Sequence, residues 1–506
     1  MQGRLTNKPT LNVSSLIADY KRSDIILFIV IFVTVFSLTP LLVWGGALIG
    51  FSVVLAILVA LSIAALVVRW PVAGFFVVLG CVLLIEQDSL RFAIFTDNLY
   101  VFGWPPSLAG LIDRPIGFLI VFIILVYICH RLTGFQQFLR GGAFIWPFLF
   151  FLLCVALGVI HGLATGGNFK IIVLEVRPFW YLFASYLIAY NLVKSKRHVR
   201  AFFWFVIAAA GIKALQGLYI VFILLHGNMD GQNEIMAHEE SFFFASLLLL
   251  VILFFLHHRY RPQLFLALLI LPPVLLALID NKRRADYLAL LVGVMIAWTL
   301  IFLIKRHARV QLAVGMSIFL LLGSFYVIAF ARSSGAISEP ARAIVSIISP
   351  DYSDVRDTNS NLYRLMENYD LKYTVKQNPL LGLGFGKPFL MPELLPNIIE
   401  DDPYYNYIPH NTIYWVWMRL GPIGFFALWF LFGSFIVRGC LIARQLKDPY
   451  LQLVAIYIVA IVFMEVIVAF ADYQLSFYRN VIYLGLLVGI LLKLPSFDEK
   501  ERPMQE

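Results

Sequence analysis

The chain has 506 residues, of which 61% are hydrophobic and only 14% charged. That balance excludes a soluble globular protein. The net charge of +9 is no sign of nucleic-acid binding, because the lysines and arginines concentrate in short connections between apolar runs, where they suit an anionic inner leaflet.

In chain order, residues 11–22 place Leu11, Val13, Leu16, Ile17 and Tyr20 among polar neighbours, which predicts a short helix on the membrane surface. Apolar runs of roughly 20 residues, enough to cross ~30 Å of hydrocarbon, then recur along the chain. They lie at 24–40, 45–68, 71–86, 115–130, 144–162, 172–193, 198–225, 240–257, 262–279, 286–304, 310–331, 411–437, 448–471 and 478–493. The expected fold is an all-α polytopic membrane protein of about fourteen transmembrane helices. A misjudged pair within 24–86, where connections are short, would leave about twelve.

A cytoplasmic N-terminus puts Lys21, Arg22, Arg69, Arg131, Arg140, Lys194, Lys196, Arg197, Arg200, Arg259, Arg261, Lys305, Arg306, Arg309, Arg438, Arg444, Lys447 and Lys493 inside. Most short inner connections then carry two or more cations, as positive-inside topology requires. No small-residue cleavage site marks the first apolar run, so it reads as a permanent span. The expected organisation is a cytoplasmic tail with an interfacial helix (1–23), an N-terminal bundle (24–331), a periplasmic loop (332–410), C-terminal spans (411–493) and a cytoplasmic tail (494–506). The four cysteines fall in spans or at their inner ends, so no disulfide framework is expected. There is no Walker loop, HExxH or CxxC motif, and no metal or cofactor is expected.

The loop 332–410 is the one long polar segment, and long loops are often functional. Leu362, Leu365, Met366, Tyr369 and Tyr373 recur at helical spacing over 361–378. Thr358, Asn359 or Ser360 is the expected cap and Pro379 the stop. Arg364 falls on a different face from that apolar stripe. With about ten acids against seven bases, the loop is no general basic patch, so anion binding would need particular arginines.

Several residues carry candidate chemistry, each beside a plainer role. His410, where the loop meets an apolar helix, suits a base for an acceptor hydroxyl, or an interfacial anchor. Asn411 would orient it or bind a sugar hydroxyl. Arg283 and Arg284 open a span on the side where cations are disfavoured; they suit a fork on phosphate, or snorkel. Arg177 is a third outer-end arginine that Glu175 would otherwise pair. Glu239 and Glu240 would bind sugar, neutralise the arginines, or simply suit a helix N-terminus. Gly382, Gly384 and Gly386 permit close backbone approach, with Gly384 and Gly386 the candidates for ligand contact.

The run from Arg364 through Asn378-Pro379-Leu380-Leu381-Gly382-Leu383-Gly384 to His410-Asn411 and Gly421-Pro422-Ile423-Gly424 resembles the O-antigen ligase and O-antigen polymerase superfamily. Arg284-Ala285-Asp286-Tyr287-Leu288 is similar to the family's arginine-bearing span start, with Arg283 where a serine is usual. The resemblance implies a metal-independent, inverting glycosyltransferase at the outer face of a bacterial inner membrane. It would transfer a glycan from undecaprenyl diphosphate to an acceptor hydroxyl on another glycan or on lipid A core. His410, Arg284 and Arg364 would be catalytic. Arg177, Arg283, Asn411, Glu239, Glu240, Gly384 and Gly386 would bind substrate. A span count of about fourteen favours a polymerase over a ligase; a carrier of anions or lipid-linked glycans is the reading from another class.

Overall fold

A computed structural model describes residues 51–87, 96, 99–104, 113–133, 139–228, 234–257, 260–333, 335–348, 355–396 and 403–500. The interfacial helix expected at 11–22 and the span at 24–40 lie outside these residues. The chain divides into two compact units, Met1–Trp70 and Pro71–Glu506. In the first unit the described element is helix α1 (Phe51–Arg69), whose final Arg69 guanidinium lies over the Trp70 ring.

Among the described residues, the regular structure of the second unit is helical. It comprises α2 (Pro71–Leu84), α3 (Pro115–Thr133), α4 (Ile145–Ala164), α5 (Phe169–Leu192), α6 (Lys196–Tyr219), α7 (His238–Leu256), α8 (Arg261–Leu269), α9 (Leu271–Asp280), α10 (Arg284–Ile304) and α11 (Arg309–Phe330). It continues with α12 (Glu339–Ile348), α13 (Val355–Gln377), α14 (Thr412–Gln445), α15 (Pro449–Ala469), α16 (Tyr478–Leu491) and α17 (Leu494–Lys500). Among the described residues, 9 helices are long and apolar enough to cross a membrane, or 10 with one bent pair. The protein is therefore a multi-pass membrane protein. The nine fall on the runs expected at 115–130, 144–162, 172–193, 198–225, 240–257, 286–304, 310–331, 411–437 and 448–471, while the runs at 71–86 and 478–493 fall on shorter apolar helices; residues 45–50 of the run at 45–68 lie outside the described residues.

The bent pair departs from expectation. The run 262–279 was expected as one span, yet α8 and α9 meet at 49°. Pro272 and Pro273 follow the break; neither has an N–H to donate, so the helical ladder cannot run through them. Polar side chains start other helices. Asn168 accepts from Lys170 and Ile171 at the head of α5, and Asp448 accepts from Leu451 at the head of α15.

The core packs α16 on α5, α15 between α10 and α14, and α14 on α4. Gly485 and Gly489, four apart, let α16 approach closely: a Cβ there would lie 2.5 Å from the Leu182 carbonyl and 2.7 Å from that of Tyr186. At one end of the bundle, contacts join α5, the head of α10 and the cap of α14 to the segment 335–410; there the head of α7 meets Asp472 and the head of α16 meets Arg177.

That segment holds α12 and α13, and α13 corrects the expected helix start. It begins at Val355, ahead of the expected cap residues. Its apolar stripe is also turned outward, with Leu362, Leu365, Tyr369 and Tyr373 exposed. Its buried face carries Glu367, Asp370, Leu371 and Thr374. Those polar groups find partners beneath: Thr374 binds Leu390, and Asp370 accepts from Glu393 N–H. Burial there is bearable because the groups are hydrogen-bonded.

Candidate active site

Three contiguous cavities meet at Arg364. The largest, about 530 Å³, is lined by Arg284, Arg364 and Ser346 together with Leu288, Leu362, Leu365, Ile467 and Phe470. A second, about 270 Å³, lies between Arg364, Ser360, Tyr363 and His410. A narrow cleft of about 60 Å³ links Lys282, Arg283, Arg284 and Asp286 to Arg364 and Asp472. Arg284 and Arg364 thus share one wall, and Arg364 and His410 another. The largest cavity is basic along one edge and apolar along the rest, which suits an anionic head on a hydrocarbon tail.

Each arginine is held differently. Arg284, the first residue of α10, donates to Ser346 Oγ at 3.1 Å. Arg283 forms an ion pair with Glu234. Glu234 also lies 2.9 Å from His238 Nε2, and His238 Nδ1 lies 3.4 Å from Asp472. Burial alone would raise the Glu234 pKa, but the His238 hydrogen bond and the Arg283 charge lower it to about 2. Burial opposes the charge on Asp472 as well; contact with His238 and the fields of Arg283 and His410 hold it below the usual carboxylate range. Arg364 sits opposite these groups. Burial pushes its guanidinium below the ordinary value, Arg284 and Arg283 push the same way, and Asp472 and Glu367 oppose them. Its buried Nε has no hydrogen-bond partner among the described residues. A buried cation beside two others is stabilised by an anion.

His410 is fixed from α13. Its N–H donates to Glu367 Oε2 at 3.0 Å, and its Nδ1 lies 3.1 Å from Oε1 of the same carboxylate. Tyr363 and Tyr473 pack edge-on against the ring, at 5.5 and 5.4 Å between centroids. Nε2 has no partner among the described residues. Asn411 is engaged otherwise: Oδ1 caps α14 by accepting from Tyr414 N–H, and Nδ2 donates to Asn368.

Other expected residues are placed apart from this cluster. Arg177 pairs with Asp113 at 3.0 Å and donates to Tyr478, so Glu175 is not its partner. Glu175 instead pairs with Arg419 at 2.5 Å and accepts from Gly386 N–H. Arg419 also donates to the carbonyls of Gly384, Lys387 and Tyr407. Gly384, at φ +77°, and Gly386 make their close approaches to the protein itself. A Cβ on Gly384 would lie 2.7 Å from Gly162 N, and one on Gly386 would lie 2.5 Å from Ile172. These glycines pack the loop onto α4 and α5, where the sequence suggested ligand contact. Glu240 joins Arg479 and Lys213 in a buried network that includes Glu86. Glu239 adds its charge beside Arg479. Among the described residues, no three His, Cys, Asp or Glu side chains converge as a metal-binding group.

Residues 265–429 match the family model described as O-antigen ligase. This part of the chain is similar to that family's domain. No curated protein matches the chain. The matched stretch contains Arg284, Arg364, Glu367, Arg419 and the His410-Asn411 pair; Arg177, Glu239, Glu240 and Asp472 lie outside it. Sequence reasoning missed Glu367, whose only signal is an acid one helical turn after Arg364, and Arg419, which reads as one cation in an apolar helix.

Proposed function

We propose that the protein transfers a glycan from a polyprenyl diphosphate, undecaprenyl diphosphate in a bacterium, to an acceptor hydroxyl at the outer face of the cytoplasmic membrane. The acceptor oxygen attacks the anomeric carbon and its proton passes to His410 Nε2. The bond from that carbon to the phosphate oxygen breaks on the opposite face, inverting the centre, and the diphosphate leaves with the bonding electrons. Arg284 and Arg364 neutralise charge as it develops on the leaving oxygen. Glu367 holds the imidazole in place as it takes the proton. The guanidinium groups supply the positive charge, so the step as written needs no metal.

One observation carries this reading: Arg364 lines both the cavity shared with Arg284 and the cavity shared with His410. The apolar wall of Leu288, Ile467 and Phe470 gives the lipid tail a place beside the arginines. The similarity to the O-antigen ligase domain supports a ligase- or polymerase-type activity.

Two assays test the proposal. Protein purified into lipid discs should consume a lipid-linked glycan and release polyprenyl diphosphate; no release with either acceptor class rejects it. Surface glycans of a strain lacking the protein identify the acceptor. Core bearing a single repeat unit marks a polymerase, and bare core with lipid-linked polymer marks a ligase.

A further inference from the structure

The segment 379–386 does not stand above the bundle; it is wedged into it. Leu383 and Gly384 N–H groups donate to the carbonyls of Met418 and Arg419, and Phe385 N–H donates to that of Gly158. Gly421, where α14 kinks with φ +66°, faces the Leu380 carbonyl; a Cβ there would lie 2.4 Å from it. The neighbours of this segment are therefore interior residues of two membrane-crossing helices.

Two helices measure the depth. On α4, Ile145 and the exposed Trp146 mark the inner boundary, and Gly162 stands roughly 25 Å further along at ~1.5 Å per residue. On α14, Arg438 marks the same boundary, and Gly421 again stands roughly 25 Å away. Hydrocarbon is ~30 Å thick. Both measures put the segment about 5 Å below the outer edge, the depth at which interfacial apolar groups rest.

Only two large side chains of the segment point out. Leu380 is 75% exposed and Leu381 68%, whereas Phe385 is fully buried. On α14, Ile423 and Phe426 are exposed in the turns that follow Gly421, the glycine that faces the Leu380 carbonyl. Lys372 and Lys376 are exposed on the last turns of α13 just before the segment. They suit the phosphates of an anionic leaflet.

We propose that 379–386 is a shallow re-entrant insertion whose Leu380 and Leu381 lie among acyl chains of the outer leaflet and, with Lys372 and Lys376 on headgroups, anchor α13. The outer placement rests on the proposed function and on the positive-inside topology expected from the sequence. The consequence is positional. The helix carrying Arg364 and Glu367 takes its height from the bilayer, so the two groups are held level with the head of a lipid-borne donor.

The test uses the full-length protein in lipid discs containing phosphatidylglycerol and a phospholipid with a diazirine on an acyl chain. Illumination and peptide mass spectrometry should find adducts on Leu380 or Leu381 as readily as on Ile423 and Phe426, and none on Leu394, which is 83% exposed in the same loop. Adducts on Ile423 and Phe426 with none on Leu380 or Leu381 overturn the insertion. The double variant Leu380→Ser, Leu381→Ser removes only exposed groups and should lower transfer about tenfold through displacement of Arg364; unchanged transfer overturns the anchoring role. Cross-linking is blind to turnover, so an inactive protein with the expected adducts rejects the transferase reading alone. Protease cleavage of the loop from the cytoplasmic side alone would reject the topology, whatever the adducts.

Discussion

His410 and Glu367 are joined twice: the ring Nδ1 lies 3.1 Å from one carboxylate oxygen, and the backbone N–H of His410 donates to the other at 3.0 Å. A carboxylate bonded to both backbone and ring fixes where the ring stands and how it is turned. The carboxylate is 1% exposed, so water competes little for it. In the proposed transfer, this geometry would leave Nε2 to take the proton of an incoming hydroxyl.

His410→Ala should lower kcat by about a hundredfold, the range in which positioned bases act. Glu367→Gln keeps an acceptor for the backbone N–H but removes the charge facing the imidazolium. It should lower kcat with little change in donor KM, and Glu367→Asp should recover part of the loss. Steady-state kinetics on purified protein check both; wild-type kcat in Glu367→Gln would reduce the carboxylate to a structural tie.

Arg364 and Arg284 face one cavity, and arginine and lysine are not equivalent there. A guanidinium pairs two phosphate oxygens as a planar fork, while an ammonium is a point charge. Arg364→Ala and Arg284→Ala should each lower kcat/KM by about a hundredfold or more. Arg364→Lys should recover only part. Arg177→Ala, which removes a partner of Asp113, should act mainly on stability. Release of polyprenyl diphosphate and thermal unfolding, measured side by side, separate the two classes.

The fully buried pair of Arg419 and Glu175 has a structural prediction of its own. Removing one member leaves the other charge in an apolar interior, at a cost of about 3–5 kcal/mol. Arg419→Met should therefore reduce folded yield sharply. The double variant Arg419→Met, Glu175→Leu should be milder than Arg419→Met alone, since no orphaned charge remains. Unfolding temperatures in detergent check the order; a double variant worse than the single would show that the three carbonyl contacts of Arg419 matter more than the ion pair.

Hydropathy made the spans legible because a roughly 20-residue apolar run has few alternatives in a bilayer. The break between α8 and α9 was written in Pro272-Pro273 and passed over because the apolar run continues through it. His410 and Arg284 were legible as polar groups at the starts of apolar helices and Arg364 by its place on the loop helix; Arg364 shares one cavity with Arg284 and another with His410. The partners were not legible. Helical spacing groups Leu362, Leu365, Tyr369 and Tyr373 on one face of α13, but period alone does not say which face turns inward. In soluble proteins the apolar face does; here the inward face meets polar loop and site groups, and the apolar face turns out. Glu175 was assigned to Arg177 because the two are near in sequence. Its true partner, Arg419, lies far along the chain, and only packing of α5 against α14 brings them together.

The Glu234 group provides a prediction in pH. Its pKa falls to about 2 because His238 and Arg283 favour the carboxylate against the opposing effect of burial. A carboxyl with a depressed folded-state pKa adds stability above its unfolded value of 4.5 and loses it as pH falls toward about 2. The unfolding temperature should therefore be insensitive to this group at neutral pH and decline from about pH 4.5 downward. Glu234→Gln should lower stability at pH 7, where the charge is present, and flatten the acid decline, since there is no carboxylate left to protonate. It should also weaken transfer modestly by freeing Arg283 beside Arg284 and Asp472. Melting curves of both proteins from pH 7 to pH 3 decide the matter: parallel curves with a constant offset would mean that the contacts of Glu234 act through shape and not through charge.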